Sequence, residues 1–254
     1  MKKKNKKVKK QLPMVMLVTV NNKGFVNEYT ANARFSIGWV LGANGIKSIA
    51  YTYDAHPISL ARNLAVEEFL KSPATHLFFL DSDSVPKADI VLRLLQYDKP
   101  VTSGWYLDRG GHGLPVVLRI IAKVMPKCMK CLIKEPKKFP DWRAYKLGEL
   151  LTIPKEKKTG LVKVDGVGAG ALLIKREVFS HLEKPYFYED HLNVRGFGED
   201  LWFGVNCKVH KIPIYVDINA LVEHWSWGLI GERHVKAILQ RDMKQQMEEK
   251  MGKK

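Results

Sequence analysis

Cysteine is scarce in this 254-residue chain: Cys128, Cys131 and Cys207 are the only three. So few exclude a scaffold built on disulfides. Cys128 and Cys131 form a CxxC, which supplies half of a tetrahedral zinc site. His112, not far upstream, stands at no zinc-site spacing. The plain reading is two ordinary thiols. A zinc site completed by a second chain and a redox pair are the alternatives. Long apolar runs are also missing. No stretch of about eighteen apolar residues occurs, which argues against a membrane span. The run 14–20 behind the opening MKKKNKKVKK is too short for a secretory leader, and no small-residue cleavage site follows it. A cytoplasmic location is the expectation.

Acid is absent or thin in two segments. Residues 1–10 hold seven lysines and no acid, and residues 119–163 hold thirteen Lys/Arg against four Asp/Glu. The rest balances at twenty-two of each sign, so the net charge of +16 sits in a tail and one internal segment. A nucleic-acid reader more often spreads its charge over a groove-facing helix or sheet, and no nucleic-acid partner is expected. The tail and segment suit an anionic membrane, touched peripherally, or a phosphate-rich acceptor. Solvated lysines serving solubility explain them equally well.

With 46% hydrophobic residues the chain can fill one core. Short apolar runs at 14–20, 48–53, 76–80, 100–104, 171–174 and 212–216 read as buried strands. Helical spacing appears at 28 to about 40, from Pro57 through Ile58, Ala61, Ala65 and Phe69, from Pro86 to about 97, and at 198–210. The alternation predicts an α/β fold: a mostly parallel, mixed sheet flanked by helices, Rossmann-like in plan. The domain boundaries read as a disordered basic tail at 1–12 and a single domain at 13–230. A lysine- and proline-rich insertion interrupts that domain at about 122–160, and a charged helix occupies 231–254.

Ligands of such sheets bind at the carboxyl ends of the strands. Asp81-Ser82-Asp83 follows the run 76–80 at such an end. Two carboxylates one residue apart can hold Mg2+ or Mn2+ through hard oxygen ligands, and such an ion also takes diphosphate oxygens. A pair that merely caps the helix near Pro86 is the structural alternative. Gly198-Glu199-Asp200 opens a helix with two acids. Either they complement its dipole, or one is a general base for a sugar hydroxyl. Neighbours on a helix point roughly 100° apart, so only one can be so aimed. His224, after the last strand, could join the carboxylates as a third metal ligand.

Together these features resemble the GT-A fold of nucleotide-diphospho-sugar transferases, and glycosyltransferase family 2 most of all. Four pieces carry the resemblance, over roughly residues 14–104 and 161–227. They are Ala61-Arg62-Asn63-Leu64 ahead of Phe78-Phe79-Leu80-Asp81-Ser82-Asp83, the DxD itself, the glycine-rich Asp165-Gly166-Val167-Gly168-Ala169-Gly170, and Gly198-Glu199-Asp200 with a later His. The resemblance implies a nucleotide-diphospho-sugar donor. It puts the metal on Asp81, Asp83 and His224, with Ser82 inside the motif. Arg62 would hold the nucleotide or its phosphates, with an ion pair to a helix acid as the alternative, and Thr19 and Asn21 would line base and ribose. Asp200 would be the base and Glu199 its acceptor-binding neighbour. Trp105, Tyr106, Trp225 and Trp227 offer aromatic faces to a sugar, and Gly166, Gly168 and Gly170 close approach to substrate.

The chain departs from the family in two places. The first strand ends Val18-Thr19-Val20-Asn21-Asn22 where the family often has a Pro-x-aromatic-Asn loop, and no QxxRW motif accompanies Trp225-Ser226-Trp227. The second departure implies transfer of one sugar at a time, to a carbohydrate, lipid-linked or protein acceptor. The expected activity is therefore a metal-dependent, inverting glycosyltransferase. A retaining transferase on the same fold, a nucleotidyltransferase that makes nucleotide-sugars, and a basic nucleic-acid-binding protein are the alternatives.

Overall fold

A computed structural model describes residues 12–21, 24–108, 112–154, 156, 159–190, 196–225 and 229–251. Most of the basic tail, and Trp227, lie outside the described residues.

The chain opens with β1 (Met14–Asn21), α1 (Glu28–Ala43), β2 (Lys47–Asp54), α2 (Ile58–Lys71) and β3 (His76–Asp81). The short β4 (Ser84–Val85), α3 (Ile90–Gln96) and β5 (Val101–Trp105) follow. Next come β6 (Val117–Ile120), α4 (Met129–Lys134), β7 (Trp142–Ala144), α5 (Leu147–Thr152), β8 (Leu161–Val164), β9 (Gly166–Val167) and β10 (Ala171–Lys175). The chain closes with α6 (Glu199–Val209), β11 (Ile214–Leu221), β12 (Glu223–Trp225), β13 (Leu229–Ile230) and α7 (Glu232–Met251).

Seven strands form the main sheet in the order β2-β1-β3-β10-β5-β11-β8. β1 runs parallel to β2 and β3, and β5 parallel to β11, while β10 and β8 run antiparallel to their neighbours. This is the expected mixed α/β architecture. The alternation along β1 sets its two layers. Val15 and Leu17 face a core with Ile37 and Leu41 of α1 and Ile90, Val91 and Leu94 of α3. Met16, Val18 and Val20 face the opposite core with Ala61, Ala65, Val66 and Phe69 of α2. A strand covered on both faces needs an unbroken apolar run, which is why 14–20 carries no charge.

Three expectations need correction. The helix read from Pro86 begins only at Ile90. Ser84 and Val85 direct their backbone bonds to β12 instead, so the DxD leads into a strand and caps no helix. The strand read at 212–216 is shifted and longer, running from Ile214 to Leu221 beside β5 and β8. The segment 122–160, read as an insertion, carries α4, β7 and α5. Its Met129, Leu132 and Phe139 form a third core with Phe197, Leu201, Trp202 and Val205, and Phe139 stacks on Phe197 with centroids 3.8 Å apart. Its described lysines, from Lys123 to Lys146, are exposed. Cys128 and Cys131, expected as plain thiols, are joined in a disulfide at the entry to α4. Among the described residues no helix is long and apolar enough to cross a membrane.

Candidate active site

The parallel register brings three strand ends together. Asn21 pairs with Asp54 and Val20 with Asp81, so the ends of β1, β2 and β3 stand side by side. The chain leaves β3 in a tight turn. Ser82 N–H donates to the Val20 carbonyl at 3.1 Å, and the Ser82 carbonyl accepts from Asn27 N–H at 2.9 Å. Ser82 thus ties the turn to the residue that caps α1, since the Asn27 side chain accepts from Tyr29 N–H.

A small sheet of β13, β12 and β4 then crosses over the turn. His224 pairs with Ser84, and Trp225 N–H donates to the Asp83 carbonyl at 2.7 Å. This pairing delivers His224 to the DxD. Its Nε2 lies 3.2 Å from Asp83 Oδ1, with the ring only 3% exposed. The other ring nitrogen, Nδ1, faces the Leu107 carbonyl at 3.4 Å. When Nδ1 carries the proton toward that carbonyl, Nε2 turns a lone pair on a carboxylate oxygen. Two such lone pairs are the donor set of a shared cation. Adjacent ligands on an octahedral Mg2+ or Mn2+ stand about 3 Å apart, so Asp83 and His224 fit one.

Asp81 is held elsewhere. Arg62, 1% exposed on α2, donates from Nη2 to Asp81 Oδ1 at 2.7 Å and from Nε to Glu199 Oε1 at 3.0 Å. Its guanidinium lies over the rings of Phe79 and Phe187, at 5.2 and 5.9 Å from their centroids. Burial opposes the charge, but Asp81 and Glu199 outweigh it and keep Arg62 firmly protonated. Of the two roles read for Arg62, the geometry displays the ion pair; Nη1 has no hydrogen-bond partner among the described residues. Correspondingly, no three His, Cys, Asp or Glu side chains among the described residues converge as a metal cluster. Asp83 and His224 meet, while Asp81 is turned onto Arg62.

With Glu199 committed to Arg62, Asp200 is the free acid of the pair at the start of α6. Its Oδ1 accepts from Leu201 N–H at 2.7 Å. Burial foremost, then the neighbouring Glu199 charge, push its carboxyl up from 3.8 to about 7. Beneath lies Tyr106, buried, accepting from Gly170 N–H at 3.2 Å, with its ring 5.0 Å from that of His224. Burial, then the Asp81 and Asp200 charges, push its phenol well above the ordinary range.

The glycine-rich segment serves this tyrosine. A Cβ on Gly168 would meet the Tyr106 hydroxyl and ring, and one on Gly170 would meet Ser84 Oγ and the Tyr106 ring. Gly166 opposes Leu118. These glycines leave room for protein side chains. Among the aromatics, Trp105 and Tyr106 belong to the core, and Trp105 Nε1 donates to the Ile218 carbonyl. Trp225 is half-buried and stacks on Tyr29 at 5.1 Å, so its ring is the remaining described candidate for a sugar.

Thr19 and Asn21 are both buried, at 0 and 3% exposure. Thr19 Oγ1 accepts from Arg34 Nη1 at 3.1 Å, and Arg34 also donates to Thr52 Oγ1 at 2.7 Å. Thr19 therefore anchors Arg34, and the reading of Thr19 as a lining residue passes to its partner. Sequence reasoning missed Arg34 and Asp54. Asp54 had a signal: like Asp81 it is an acid at the end of a strand run.

No protein-family model and no curated protein sequence matches the chain. Among solved structures, A197 from STIV superposes with a TM-score of 0.51 at 21% identity, over 84% of this chain and 86% of that one. The two share a fold. The inositol-1-phosphate CTP transferase from T. maritima covers 84% of this chain and 89% of its own, with a TM-score of 0.40 and 10% identity, too loose an overlap to carry an argument.

Proposed function

We propose that the protein is a glycosyltransferase that moves one sugar from a nucleotide-diphospho-sugar to an acceptor hydroxyl, with Asp200 as base and inversion at the anomeric carbon. The observation that carries this reading is Asp200: a carboxyl poised near neutrality, at the N-terminus of a helix, beside the strand-end carboxylates.

The nucleotide belongs at the joined ends of β1, β2 and β3, where Asn21, Asp54 and Arg34 supply polar contacts. Asp83 and His224 would hold Mg2+ or Mn2+, which when bound neutralises charge on the leaving diphosphate. Asp81 supports that site from its ion pair with Arg62. On the acceptor side, ionised Asp200 takes the hydroxyl proton as the acceptor oxygen bonds to the anomeric carbon. The bond from that carbon to the diphosphate oxygen breaks in the same displacement, and its electron pair leaves with the diphosphate. A base with its pKa near the working pH is suited to this transfer. Glu199 does not bind the acceptor in this scheme. It fixes Arg62, and with it the spacing between donor-side Asp81 and α6.

The test is a panel of nucleotide-sugars with Mn2+, read for donor hydrolysis and thermal shift. Stabilisation and slow hydrolysis of one donor, lost in Asp83→Ala, supports the reading and names the donor. Release of pyrophosphate from a nucleoside triphosphate and a sugar 1-phosphate, without donor hydrolysis, makes the protein a nucleotidyltransferase instead.

A further inference from the structure

The helix α1 is unusual for a surface element. Its sequence, EYTANARFSIGWVLGA, has two charged residues in sixteen, Glu28 and Arg34. Arg34 is turned inward onto Thr19 and Thr52. The buried stripe is Thr30, Ala33, Ile37 and Leu41. Phe35 and Trp39 each stand two residues from Ile37, roughly 200° around the helix, and so point away from the sheet. They are 75 and 68% exposed and share one ridge at a spacing of four. A helix apolar on both faces is normally covered on both.

The chain enters β1 at the end of the sheet where α1 finishes. Met14 pairs with Lys47, and Lys47 follows the end of α1 after a tight turn in which Ile46 N–H donates to the Leu41 carbonyl. Leu12, 73% exposed, precedes β1 at that same end of the sheet. In the sequence, residues 1–10 ahead of it hold seven lysines and no acid.

We infer that the outer face of α1, together with the lysine-rich sequence ahead of β1, docks the protein on an anionic lipid bilayer. An exposed Trp and Phe on one ridge, in a chain with a lysine cluster ahead of β1 in sequence, match what lies in a headgroup layer. Lysines are attracted by anionic lipid, and the aromatic rings supply the apolar insertion that charge alone lacks. A second copy is a poorer occupant, because a shared α1 interface would bring two sets of seven lysines together. Single-stranded nucleic acid is poorer too, since its stacking platforms line grooves and this ridge is convex.

The experiment is co-sedimentation of the full chain with phosphatidylcholine vesicles containing about one third phosphatidylserine, and with pure phosphatidylcholine. The variants are F35S/W39S and a deletion of residues 2–10. Both substituted side chains are exposed, and circular dichroism and thermal melting check that each variant folds. The expected result is binding to the anionic vesicles only, weakened at least about tenfold by either variant. Docking is refuted if the wild type ignores anionic vesicles, or if F35S/W39S binds them as the wild type does. It is refuted equally by a wild-type dimer that F35S/W39S converts to monomer, or by tight RNA binding without vesicle binding.

Discussion

Asp83 Oδ1 and His224 Nε2 lie 3.2 Å apart across 141 residues of sequence. The pair is made by the backbone: β4 and β12 register His224 against Ser84, and the side chains converge as a result. If the pair is a cation site, Mn2+ should stabilise the wild type by about 2.7 kcal/mol at one hundred times its dissociation constant. Asp83→Asn and His224→Ala should each abolish most of that gain. A thermal melt against Mn2+ concentration checks it. A pair that is only a hydrogen bond would give variants that are less stable yet show no change in their response to Mn2+.

Asp200 sets a pH dependence in both activity and stability. As a base it must be ionised, so kcat/KM should rise with pH, reach half its maximum near 7, where its carboxyl titrates, and level off above that. Asp200→Asn should lose roughly 100- to 10,000-fold in kcat while still binding donor. The stability effect has the opposite sign. A carboxyl whose folded value lies above 3.8 holds its proton more tightly in the folded chain. Its contribution is full below 3.8 and is lost as pH rises through about 7. Asp200→Asn should therefore gain on the wild type between those values, by on the order of a few kcal/mol, and no further above them. Urea unfolding at several pH values measures the gap.

Much of this was legible in the sequence because it is local. A strand buried on both faces must be an apolar run, so β1 and β3 announce themselves, and the acids that end β3 and begin α6 stand out against their surroundings. What was not legible depends on pairing at a distance. Nothing near Pro86 says that Ser84 and Val85 will pair with residues 223–224 instead of starting a helix. Composition marked 122–160 as foreign, because its lysines outnumber the few apolar residues that complete the core with Phe197 and Trp202. The glycines of 166–170 were visible, but Tyr106, which they accommodate, comes sixty residues earlier.

Arg62 joins the two halves of the site, and its removal should show first in stability. Arg62→Ala leaves Asp81 and Glu199 as half-buried carboxylates without a counter-charge, at a cost of about 3–5 kcal/mol. Arg62→Ala combined with Asp81→Asn and Glu199→Gln should recover part of that loss, since no unpaired charge then remains. Were Arg62 chiefly a phosphate ligand, Arg62→Ala would instead keep its stability and lose donor affinity. Chemical denaturation and donor titration of the same variants separate the two.

Tyr106 and Gly168 make a sharper test of how the site's floor is held. A Cβ at Gly168 would fall on the Tyr106 hydroxyl and ring, with Val116 as the next neighbour. Both are closely surrounded, so Gly168→Ala should cost about 1–3 kcal/mol as overpacking. The tyrosine ring also lies 5.0 Å from the ring of His224. A displaced Tyr106 therefore presses on the imidazole that faces Asp83, and Gly168→Ala should weaken the response to Mn2+ although it touches no ligand. In a Tyr106→Ala background the space is vacant, and adding Gly168→Ala should then cost little beyond its contact with Val116. The coupling in that double-mutant cycle should reach about 0.5–3 kcal/mol. Additive costs would mean that the glycine serves the turn of the backbone and not the tyrosine.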